Sequence, residues 1–436
     1  MDLKIYPVVC LALLLCSCAS TGSFSPVENE LEQSHYAAGA ELLGEKRDSL
    51  YTSRDTILFL LDKGMLAHYA GMNAESSRLL EDAERAIDEA FTKSITQGIA
   101  SLMINDNSLD YSGEDYEDIY INVFNALNYY HRDNIEGAMV EIRKMTNKLQ
   151  HLAVKYDVVL SGLQRMALDE GLPQLPSNSQ STEQFANSAL GRYLGMLFYR
   201  GAGLYDNARI DRDWLLAAFA NAPEVYGFPV PSSINGELEI PQGTARLNVL
   251  AFAGLSPIKK ENVTRIPLLT GGWVKIALPQ MASRHSSIAR VDLVFDSGEI
   301  HNLELLEDID AVARAAFRQR EQVIYLRTVI RAMLKGVSSS ALRIAARETD
   351  GSTSLVLDLL GFIAQIFAEA SESADIRVSR FFPARAYVGG INLPPGSYTF
   401  QVKYYTRNGR EIASVLHQDM VIRENDLNLA QAVSLR

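Results

Sequence analysis

The sequence predicts an α+β protein: a helical amino half, then an antiparallel β-rich half interrupted by helices. Three observations lead there. Residues 111–149, YSGEDYEDIYINVFNALNYYHRDNIEGAMVEIRKMTNKL, place apolar side chains at alternating steps of three and four on either side of Asp133 and Asn134. That spacing is one face of each of two helices, with a polar turn between them. Residues 227–243 are rich in Pro, Gly and Ser and mark a change of pattern. Beyond them, short runs alternate apolar and polar, as half-buried strands do.

The amino terminus reads as a targeting segment. Lys4 precedes an apolar run over residues 8–15 that is too short to span a bilayer. It ends in Leu15, Cys16, Ser17 and Cys18, which resembles a bacterial lipobox, with Cys18 at the lipidated position. All three cysteines lie within the first eighteen residues, as expected of an exported chain whose one mature Cys is acylated. Cys10 and Cys16 would leave with the signal, residues 1–17. Acyl chains on Cys18 would anchor the chain by about 0.8 kcal/mol per buried methylene. Residues 18–29 read as a flexible tether. Ala19 after the Cys favours the outer membrane by the usual sorting rule, so the expected location is that membrane, facing the periplasm.

Residues 30–228 form the expected helical domain. A first helix is expected over about 30–50 and a hairpin over 55–90. In that hairpin Gly64, Ala67, Gly71, Ser76, Leu80 and Ala83 fall at offsets where tetratricopeptide repeats place small and core residues. Ala126, Tyr129, Ile135, Ala138, Ile142 and Met145 repeat the pattern, and a third unit covers 190–226. The fold class is therefore a tetratricopeptide-like helical domain followed by an antiparallel β-sandwich-like domain with inserted helices. After a linker at 229–243, the second domain spans 244–436. Its expected strands carry Leu247, Val249 and Ala251; Val274, Ile276 and Leu278; Val291, Leu293 and Phe295; and Tyr398, Phe400, Val402 and Tyr404. Asn408 and Gly409 then make a hairpin turn into residues 412–416. The helical insertion lies at about 308–370, where residues 354–370 read as a buried core helix.

Ordered blocks carry a wider resemblance. YSGEDYED with the hairpin after it, VLAFAGLSPIKKE with the later IALP, AFRQREQVIYLRTVIRAMLKG and LPPGSYTFQV together resemble a family of bacterial envelope lipoproteins. Members have a tetratricopeptide-like amino half and a β-rich carboxyl half, and the resemblance spans roughly residues 30–420. It implies an architecture and a compartment and supplies no reaction.

Charge is unevenly distributed. The net charge of −12 argues against non-specific binding to nucleic acid. Residues 311–347 hold eight basic side chains, among them Arg327 and Arg331, and one acid, whereas residues 28–118 hold twenty acids and seven bases. The basic helix could meet an anionic glycan or lipid of the envelope, dock on the acidic helices of its own chain, or be a solvated face. Asp106, Ser108, Asp110 and Glu117 have calcium-loop spacing, but Tyr111 stands where that loop requires Gly. The seven histidines show no metal-ligand spacing, and no GxSxG, P-loop or dinucleotide fingerprint occurs. A carboxylate pair of the glycosidase kind would leave no spacing signature. The expectation is a protein without cofactor or enzymatic activity that binds another envelope protein. Tyr116, Tyr129 and Tyr130 of the hairpin are the candidate contacts, with Arg327 and Arg331 as the alternative surface.

Overall fold

A computed structural model describes residues 22–96, 109–169, 185, 187–267, 273–336 and 374–436. Cys18, Asp106, Ser108, Arg343, Arg347 and the expected helix at 354–370 lie outside the described residues. The chain is α+β.

The amino half is helical: α1 (Ser25–Glu32), α2 (Tyr36–Glu45), α3 (Arg47–Leu50), α4 (Thr56–Tyr69), α5 (Asn73–Thr96), α6 (Asp115–Tyr130), α7 (Ile135–Asp169), α8 (Ala189–Gly201) and α9 (Tyr205–Asn221). The single helix expected over 30–50 is three short ones: Ser34 turns the chain through the left-handed region at φ 64° between the first two, and Lys46, at φ -90° and ψ 9°, separates the second from the third. The first of them starts at Ser25, inside the stretch read as a tether. Pro26 begins the helix favourably, and Val27 and Leu31, one turn apart, are buried.

Three antiparallel pairs follow. In α4–α5, Gly64 lies against Leu80, so close that a Cβ would come within 2.9 Å of the leucine methyl. In α6–α7, Asn122 reaches Glu141 across the pair, and in α8–α9, Arg192 meets Asp211 at 2.9 Å. The pairs begin at Thr56, Asp115 and Ala189, so successive starts lie 59 and 74 residues apart.

The carboxyl half contains β1 (Ala245–Leu255), β2 (Ile258–Pro267), β3 (Trp273–Ala282), β4 (Arg290–Phe295), β5 (Ile300–Asp308), α10 (Ile309–Gly336), β6 (Pro383–Leu393), β7 (Gly396–Tyr405), β8 (Glu411–Ile422) and β9 (Asn428–Ser434). Seven strands form one mostly antiparallel sheet in the order β8-β7-β4-β5-β6-β1-β9, with only β1 and β9 parallel; β2 and β3 make a separate ribbon. The large sheet curls until it is nearly closed, in place of the two facing sheets of a sandwich. The Arg436 guanidinium donates to Ile412 O of edge strand β8, just past the end of β9.

Strand β1 is buried on both faces for ten consecutive residues. Its odd-numbered side chains, Leu247, Val249 and Ala251, join Val291, Leu293, Phe400, Val402 and Tyr404 inside the curl. Its even-numbered Leu250 and Phe252 belong to the core of the helices, where the Phe252 ring lies 5.1 Å from Phe124 of α6. One apolar core therefore runs from Val27 of α1 to Leu435, through both halves. The segment 229–243 is part of this construction: Ile234 and Glu237 are buried in it.

Candidate interaction surface of the helical hairpins

The hairpin at 111–149 is the α6–α7 pair, and much of it is buried. Tyr116, expected as a contact, is fully buried with its ring edge on Phe382, so it packs the core and offers no surface. Tyr130 is half-buried. Its hydroxyl donates to Leu427 O at 2.8 Å and accepts from Leu429 N at 3.1 Å, which ties the hairpin to β9. Tyr129 is the most accessible of the three; it donates to Glu81 at 2.9 Å and lies under the Arg132 guanidinium.

Beside Tyr130 runs a chain of hydrogen bonds of one polarity. His131 donates to Gln431 Oε1, Gln431 Nε2 donates to His68 Nε2, and His68 Nδ1 donates to Asn128 Oδ1. Asn128 Nδ2 then donates to Ser76, whose hydroxyl donates to Gly64 O. These bonds fix His68 as the neutral tautomer. Burial lowers its pKa to about 4, against the Asn128 bond, which raises it.

A charged seam fills the contact of α5, α6 and α7. Glu84 accepts from Lys144 at 3.0 Å and pairs with Lys148 at 2.7 Å, Lys148 also meets Asp118, and Asn122 bridges Glu84 to Glu141. Burial alone would raise Glu84, but Lys148 and Lys144 hold it at about 2. The sequence carried a sign of this seam in Glu141, Lys144 and Lys148, spaced to share one helix face.

The basic helix α10 is engaged within the chain. Arg320 pairs with Glu114 at 3.2 Å and donates to Gly113 O, Arg318 meets Glu224 and Arg314 meets Asp310. Lys259 of β2 pairs with the same Glu114 oxygen as Arg320. Arg327 is half-buried, and the Arg331 side chain lies outside the described residues. The YSGEDYED stretch is therefore where the basic helix docks. Glu117, from the calcium-like spacing, takes bonds from Tyr111 Oη, Glu114 N and Ser379 N. Burial, and then the Glu114 charge, raise its pKa to about 7. Among the described residues, no group of three His, Cys, Asp or Glu could hold a metal ion, and no helix is long and apolar enough to cross a membrane.

Exposed apolar side chains concentrate on the later helices. Val154 and Val158, one turn apart on α7, are 58% and 67% exposed, and Ile210 and Trp214 on α9 are 55% and 51%. Trp214 is held in place from beneath. The Arg192 guanidinium lies 5.5 Å from its ring and is itself fixed by Asp211 and Asn187, and Asn187 donates to Trp214 O. Trp214 carries no signal of its exposure in the sequence, because nothing in the spacing separates an exposed Trp from a core one. No family model, curated protein or solved structure matches the chain.

Proposed function

We propose that this chain is a non-catalytic interaction scaffold of the bacterial envelope. Acyl chains on Cys18 hold it at the outer membrane, facing the periplasm, and its helical pairs stack in the manner of tetratricopeptide repeats around a partner protein. The observation that carries the reading is the exposed apolar pairing on α7 and on α9, Val154 with Val158 and Ile210 with Trp214. Exposed apolar residues grouped on one element are characteristic of protein contacts, and a rigidly supported Trp is the side chain most often found at their energetic centre. Close approach at Gly64 and Gly195 supports the stacked arrangement. The internal ion pairs of Arg314, Arg318 and Arg320 weigh against anionic glycan or lipid as the ligand of α10.

The test uses the chain from residue 19 onward as bait in detergent-solubilised envelope. Recovery of one protein in stoichiometric amount, lost with Val158→Glu and Trp214→Glu, is expected. Recovery of glycan or lipid alone, unaffected by those changes, would contradict the proposal.

A further inference from the structure

The first described residues, from Gly22 on, are seated against the body of the protein. Gly22 N donates to Ser49 O at 3.0 Å. A Cβ on Gly22 would lie 2.6 Å from the same oxygen, so the close approach requires glycine. The Phe24 ring packs edge-on against Tyr51 and Phe381, with the Arg380 guanidinium 4.3 Å from its centre. Glu28 of α1 is shared by Arg380 at 3.3 Å and Arg284 at 3.7 Å. Arg436 donates to Glu32 O, and Tyr36 donates to Val433 O at 3.2 Å. The leading segment is thus joined to α3, to residues 380 and 381 and to the carboxyl terminus.

Chain length then limits where the body can stand. Four residue steps separate Cys18 from Gly22 and span at most about 14 Å when fully extended. A tether reaching Asn29 would span up to about 40 Å on the same measure. We infer that the face beside Gly22, formed by exposed Glu45, Arg47, Asp48 and Ser49, is held against the phospholipid headgroups. The last helical pair, at the other end of the α4–α9 series, points into the periplasm. This inference rests on the acylation of Cys18 proposed above.

The mature chain would hold no other cysteine, so single labels are selective. The acylated protein is purified with a fluorophore on Asp48→Cys, Glu45→Cys or Asp213→Cys and placed in phosphatidylethanolamine/phosphatidylglycerol vesicles carrying a headgroup nitroxide. Quenching severalfold stronger at positions 45 and 48 than at 213 is expected. Twelve Gly/Ser residues inserted after Ala19 would add a root-mean-square reach of about 20 Å and should abolish the difference while the protein still sediments with vesicles. Equal quenching at all three positions, with the acyl mass present on Cys18, overturns the orientation and leaves the anchor standing. Absence of acyl mass on Cys18 overturns both.

Discussion

His68 donates at one ring nitrogen to Asn128 and accepts at the other from Gln431, an arrangement open only to the neutral ring. Its folded pKa, about 4, lies below the ordinary 6.5. As pH falls the unfolded chain therefore takes up a proton first. The stabilisation is complete above about pH 6.5 and is lost toward pH 4, amounting to about 3 kcal/mol. Glu117 has the opposite sign. Its folded pKa is about 7 against 4.5, so its contribution is complete below about pH 4.5 and is lost as pH rises through 7. Urea midpoints measured from pH 4 to pH 8 should show a flatter acid limb for His68→Gln and a flatter neutral limb for Glu117→Gln. Parallel profiles for wild type and variants would contradict these assignments.

At the scale of elements, two helical glycines behave differently. A Cβ on Gly195 of α8 would meet Asp211 Oδ2 at 2.2 Å and Ile142 at 3.0 Å, whereas one on Gly162 of α7 would meet nothing within 4 Å. Gly195→Ala should therefore destabilise the protein by about 1–3 kcal/mol through overpacking. Gly162→Ala should stabilise it by about 0.5–1 kcal/mol through helix propensity. Thermal denaturation of both variants checks the sign; a shift of the same sign in both would show that α8 and α9 do not approach as described.

The helical pairs were legible because their apolar period is long and uninterrupted by Pro. The expected inward residues of β1, β4 and β7 match the interior of the sheet; alternation reports the buried face of β7 directly, whereas β1, apolar on both faces, has a second face in the helical core that alternation does not show. Strand β6 escaped notice for the reverse reason. It begins at Pro383 and contains Gly389 and Gly390, both poor strand formers by composition. A Cβ on Gly390 would lie 2.4 Å from both Arg246 and Glu237. The glycine makes room for a buried ion pair that only the tertiary structure brings together. At the candidate surface, periodicity placed Tyr116 on a helix face but could not tell which faces another layer would cover.

For the whole molecule, the core shared by the two halves makes them one cooperative unit. Glu237 is completely buried, pairing with Arg200 of α8 and with Arg246 of β1 at 2.9 Å, while Asn248 donates to it. Glu307, at a bulge in β5, accepts from Ala189 N and Leu190 N at the start of α8, where a carboxylate complements the helix dipole. Glu237→Ala would leave two guanidiniums unpaired in the core, at a cost of about 3–5 kcal/mol. Calorimetry of the wild type should show a single transition for both halves, moved down in temperature by Glu237→Ala. Two separate transitions would contradict a shared core.

The scaffold reading is tested most directly by photo-crosslinking in living cells, with a photoreactive amino acid at Val158 or Trp214 and, for comparison, at Ile300 in β5, which is 63% exposed. One discrete adduct with another envelope protein is expected from positions 158 and 214 and none from 300. No adduct from 158 or 214, in a chain that is present at normal level, would contradict that reading.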